Sequence, residues 1–114
     1  MIFKYKKHIL FIICFCQTTF AIDRTPEEKE AVHFYNEGVQ LIIDGKYEDS
    51  NLSFDKAIET IPKFMKAYHT KGRVLGRLKR YDDVIKNCDK ALKLSEKQPK
   101  ILSQKSFALY VLKQ

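Results

Sequence analysis

The chain has 114 residues, 31% of them charged and 45% hydrophobic, with a net charge of +7. That balance suits one folded domain and excludes a disordered polar chain. There is no Trp and there are only three Pro, so a core must come from Leu, Ile, Val, Phe, Tyr and Ala.

The N-terminus is a different kind of sequence. Lys4, Lys6, Lys7 and His8 give a basic start, and Ile9 to Cys16 is an unbroken apolar run. Thr19 and Ala21 then fill the small-residue places before a cleavage point. These are the marks of a secretory signal peptide over residues 1–21, cleaved after Ala21. The apolar run falls well short of the roughly 20 residues that span a bilayer as a helix. The alternative is an uncleaved anchor over residues 9–22, and a third reading is a buried helix. Ile13 and Phe15, which precede Cys14 and Cys16, are too bulky for bacterial lipidation, so both cysteines read as apolar residues of the run. Removing residues 1–21 leaves Cys88 alone, and one thiol forms no intramolecular disulfide. The mature part must be held by packing.

After a lead-in over residues 22–30, helical patterns follow one another. Thr25-Pro26-Glu27-Glu28 opens the first: Thr25 as cap, Pro26 at the first position, Glu28 reaching back. Val32, Tyr35, Val39 and Ile42 recur at three- and four-residue steps, as do Phe34, Gly38 and Leu41. Gly38 sits inside this helix, where glycine costs about 1 kcal/mol relative to alanine. A close helix–helix approach explains it. Gly45 can take the left-handed conformation that ends the helix. Tyr47 starts a second helix with Phe54, Ala57, Ile58 and Ile61 on its apolar side, and Pro62 stops it and begins the next.

The pattern then repeats after 34 residues. Phe34 aligns with Tyr68, Gly38 with Gly72, Leu41 with Leu75, Tyr47 with Tyr81, Asp49 with Asp83, and Ala57 with Ala91. Leu102, Ser106 and Leu109 continue the phase from Pro99 onward. Helix pairs with loops of three or four residues must fold back antiparallel.

Phe34, Gly38, Leu41, Tyr47, Phe54, Ala57 and Pro62 resemble the tetratricopeptide repeat (TPR) consensus. Tyr68, Gly72, Leu75, Tyr81, Cys88 and Ala91 form a second copy. Ser50 and Val84 depart from it, standing where the family usually has alanine. Glu37 and Lys71 replace a commonly apolar residue, and Glu96 takes the second copy's proline place. The resemblance implies an all-α, TPR-like α-solenoid of two helix-turn-helix repeats, residues 31–64 and 65–98. A partial third repeat or capping helix, residues 99–114, would follow. It also implies a concave groove lined by the first helix of each repeat: Val32, Tyr35, Val39 and Ile42, then Lys66, His69, Thr70, Arg73 and Arg77. The carboxylate clamp of chaperone-type TPR domains is absent, because Tyr35, Val39 and Thr70 occupy its places.

Charge divides the chain. Residues 23–62 carry ten acidic and four basic side chains, and residues 63–114 carry four and fourteen. A basic half suits an acidic peptide, an anionic lipid surface or nucleic acid. Export and the lack of a nucleic-acid motif argue against the last. Lys86, Lys90, Lys93 and Lys97 read as a solvated face. His33, His69 and Cys88 could be imagined as a metal trio, but Cys88 falls at a buried place of the repeat. No catalytic, metal or cofactor constellation emerges, and an enzyme is not expected.

The expectation is therefore an exported, periplasmic or secreted, non-enzymatic module that binds a protein or peptide partner. The alternative is a membrane-tethered accessory subunit of a cell-envelope assembly. The last helix keeps apolar residues on its outer side, Phe107 and Val111 among them, which suggests a partner or a second copy there.

Overall fold

The computed structural model describes residues 24–114. The expected signal peptide, its cleavage after Ala21 and the alternative anchor over residues 9–22 lie outside the described residues. Five helices follow one another: α1 (Pro26–Ile43), α2 (Tyr47–Thr60), α3 (Met65–Arg77), α4 (Tyr81–Leu94) and α5 (Pro99–Leu112). No strand occurs among the described residues. The described chain is all-α, and no helix in it is long and apolar enough to cross a membrane.

The start of α1 is built as its sequence suggests. Thr25 Oγ1 accepts a hydrogen bond from the Glu28 amide at 3.2 Å, and the Glu28 carboxylate accepts one from the Thr25 amide at 2.9 Å. Two amides that the helix leaves without partners are satisfied in this way. Neither α2 nor α4 has a side-chain cap. Each places two carboxylates in its first turn, Glu48 with Asp49 and Asp82 with Asp83, where the helix dipole favours negative charge.

The 34-residue period reappears in backbone geometry. At the end of α1, Lys46 N donates to Leu41 O at 2.8 Å, and Gly45 has a φ of +76°. At the end of α3, Arg80 N donates to Leu75 O at 2.9 Å, and Lys79 has a φ of +58°. The same turn is thus built twice. In the second copy a side chain is forced into the left-handed region, which costs about 1–2 kcal/mol for a residue with a Cβ. Pro62 behaves differently from expectation: it terminates α2 but lies in the connection, and α3 begins at Met65. Pro99, by contrast, is the first residue of α5.

Two glycines decide how the helices meet. A Cβ on Gly38 would lie 2.7 Å from a ring carbon of Phe54, so the aromatic ring of α2 rests directly on the α1 backbone. Phe54 is fully buried, and its ring centroid is 5.6 Å from that of Tyr35. Burial of such a side chain contributes about 2–3 kcal/mol. In the second copy Cys88 stands in the place of Phe54 and is also fully buried, but it is much smaller. The Gln104 side chain of α5 lies against the glycine instead: a Cβ on Gly72 would lie 2.2 Å from Gln104 Oε1. Gln104 Nε2 donates to the His69 carbonyl at 2.9 Å. The terminal helix is therefore seated on α3 through a polar contact. Around it Tyr68, Leu75, Val84, Cys88, Ala91, Ile101 and Ala108 form one apolar cluster across α3, α4 and α5.

Candidate functional site: the clefts beside α3

Helix α3 carries Lys66, His69, Thr70, Arg73 and Arg77 at three- and four-residue steps, so they share one side of it. That side faces α1 at one edge and α5 at the other. Among the described residues, a small cavity of about 80 Å³ lies between α1 and α3, lined by Ile42, Thr70, Arg73, Val74 and Arg77. Tyr35 closes much of this edge. Its hydroxyl shares a hydrogen bond with Thr70 Oγ1 at 3.2 Å. Its ring packs at 5.5 Å from that of Phe64, and the Lys66 ammonium lies 5.1 Å from the ring centroid. These contacts occupy Tyr35, Lys66 and Thr70 within the fold. Val32 and Val39 are partly buried on α1 and line neither of the clefts beside α3.

The opening lies on the other edge. Helices α3 and α5 flank a cleft of about 570 Å³. Gly72 and Gly76 keep its α3 wall low, and Tyr81, Val84, Phe107 and Ala108 give it an apolar lining. Nothing lies within 4 Å of a Cβ built on Gly76. Phe107 is 58% exposed and meets the Tyr81 ring edge-on at 6.3 Å. Arg73 and Arg77 both line the cleft, but they are not equivalent. Arg77 Nη1 donates to the Tyr47 hydroxyl at 3.1 Å, and its guanidinium lies 5.9 Å from that ring's centroid. Arg73 is exposed and forms no ion pair among the described residues.

The electrostatics around α3 are positive. The pKa of His69 is held below its ordinary value of 6.5, first by burial and then by the charges of Lys100 and Arg73. A cleft lined by Arg73 and Arg77 favours an anionic group over a cationic one. Cys88 lies under this region, and burial pushes its thiol up to about 11, with Asp89 adding to the effect. A thiol so held is a packing group and a poor nucleophile. His33, His69 and Cys88 do not come together as a group able to hold a metal ion.

Sequence register places Arg73 and Arg77 on one side of α3, and both line this cleft, but register does not reach its far wall. Ser103, Gln104 and Ala108 belong to α5, two helices further along the chain, and the signal that could have pointed there was the pair of glycines, Gly72 and Gly76, on one edge of α3. The exposed apolar surface of α5 is also wider than Phe107: Leu102, Leu109, Tyr110 and Leu112 are exposed too, whereas Val111 is partly buried. No family model matches this sequence, and no curated protein matches it at a significant level.

Proposed function

We propose that the chain is a non-enzymatic protein-interaction module of TPR-like, α-solenoid architecture, exported by its N-terminal signal. Its partner is a peptide or helix held in the cleft between α3 and α5. The observation that carries this reading is the cleft itself: about 570 Å³, apolar along Tyr81, Val84 and Phe107, with Arg73, which forms no ion pair among the described residues, on its rim. Ligand sites are commonly concave and mostly apolar, with a few polar groups fixing orientation. The turn repeated at a 34-residue spacing supports the TPR-like reading of the scaffold.

The matching ligand has an apolar side chain for the Phe107 side of the cleft and a carboxylate for Arg73. Selection of a displayed peptide library on the full chain tests this. Enriched sequences should pair a large apolar residue with Asp or Glu. Arg73→Glu should weaken them by about tenfold or more, since a hydrogen bond to a charged group contributes roughly 1.5–3 kcal/mol, and should leave the unfolding midpoint in place. Equal binding by the variant would remove the cleft from the assignment.

A further inference from the structure

On the other side of α3, helices α2 and α4 flank a second cleft of about 380 Å³ with Tyr68, Lys71 and Leu75 of α3 among its lining. It lies apart from the α3/α5 cleft, and the two share no lining residue. Its charges are mostly internal. Arg80 bonds Glu48 at 2.9 Å and Asp83 at 2.8 Å, and Lys71 pairs with Asp55. All three carboxylates that line the cleft therefore have cationic partners. Lys86 and Lys90, one turn apart on α4, form no ion pair among the described residues.

The opposite wall carries an anomaly. Asn51 is only 6% exposed, and neither its side-chain nitrogen nor its side-chain oxygen has a hydrogen-bond partner among the described residues. An unpaired buried amide is unfavourable, and such groups call for an explanation. The repeat sharpens the point: 34 residues on, the same place holds Ile85, an apolar residue that packs on the core. The scaffold thus accepts a hydrophobic side chain there, and Asn51 is not required by the fold. Local departures of this kind concentrate at functional sites.

We propose that the α2/α4 cleft is a binding site for a small carboxylate that also carries an amide, an N-acylated acidic amino acid in chemical class. The Asn51 carboxamide offers one donor face and one acceptor, the complement of an amide group. Lys86 and Lys90, which line the same cleft, supply the positive charge that a carboxylate needs. No hydrogen bond from the described residues anchors the Asn51 amide, so it can turn toward a ligand without breaking one. The cavity volume falls within the range of about 300–1,000 Å³ found for small-molecule sites.

The same amide and carboxylate could come from a free molecule or from an acidic residue within a peptide, and the experiment separates the two. The full chain is titrated with N-acetylglutamate and with the capped peptide acetyl-Ala-Glu-Ala-amide, while backbone amide resonances are followed. Glutarate, which lacks the amide, is the control. Shifts should cluster at Asn51, Lys71, Lys86 and Lys90, with N-acetylglutamate binding about tenfold tighter than glutarate, the equivalent of one paired hydrogen-bonding group. Tighter binding by the free acid than by the peptide supports the small-molecule source, and the reverse order would overturn it. Asn51→Leu, which keeps the fold by analogy with Ile85, should erase the preference over glutarate. Lys86→Gln with Lys90→Gln should weaken both acids. No binding by either probe, shifts confined to the α3/α5 cleft, or an unchanged preference in Asn51→Leu would overturn the proposal.

Discussion

The contact between Gly38 and Phe54 makes a prediction that can be worked to a number. Placing alanine in a helix interior in place of glycine ordinarily stabilises by about 0.5–1 kcal/mol. At Gly38, however, the new methyl would sit 2.7, 2.9 and 3.0 Å from three carbons of the Phe54 ring. Optimal carbon–carbon separation is about 3.5–4.0 Å, so ring and helix must part by close to 1 Å. Phe54 is fully buried and braced by Tyr35, and forcing such a shift costs about 1–3 kcal/mol. Gly38→Ala should therefore destabilise by about 1 kcal/mol net. Gly76→Ala is the matched control: nothing lies within 4 Å of its new methyl, and it should stabilise by about 0.5–1 kcal/mol. Urea unfolding followed by far-ultraviolet circular dichroism gives both values from the midpoints. Adding Phe54→Leu to Gly38→Ala should recover part of the loss, with a coupling of about 1 kcal/mol or more. If Gly38→Ala raises the midpoint as Gly76→Ala does, the close-approach argument is refuted.

Three further outcomes are expected. Lys79→Gly relieves a side chain held at φ +58° and should stabilise by about 0.5–1 kcal/mol, whereas Gly45→Ala should destabilise by a similar amount; thermal unfolding measures both. The folded state holds the His69 pKa below 6.5, so the unfolded chain binds the extra proton first. Stability from neutral His69 is then complete above about 6.5 and declines as pH falls through that value. His69→Gln should flatten the midpoint between pH 7 and pH 5, and an unchanged slope would assign the pH dependence to other groups.

The helices and their turns were legible because their signals lie within one helix or between adjoining ones. The Thr25–Glu28 box is chemistry confined to a few neighbouring residues, Gly38 marks a contact with the adjoining helix, and the 34-residue spacing repeats one turn. What escaped depends on substitutions between copies. Cys88 in the place of Phe54 leaves space that a single repeat cannot foresee, and Gln104 reaches into it from the next helix. Asn51 in the place of Ile85 looks like an ordinary polar helix residue until its burial is known. Lys86 and Lys90 read as a solvated face on charge alone and became notable only as the wall opposite Asn51. Helical spacing placed Arg73 and Arg77 on one side of α3 alike, but it could not show that Arg77 is engaged by Tyr47 while Arg73 forms no ion pair among the described residues.

The central claim is that a partner chain sits between α3 and α5. The most direct measurement places a photo-crosslinking residue at Ser103, which is exposed and lines that cleft, and another at the exposed Lys93, which does not. Both are introduced in the full chain in cells that produce it, and the products are mapped by mass spectrometry. The expected result is a crosslinked partner segment from position 103, absent from position 93 and lost with Arg73→Glu. The same products from both positions, or a position-103 product that persists in Arg73→Glu, would contradict the claim.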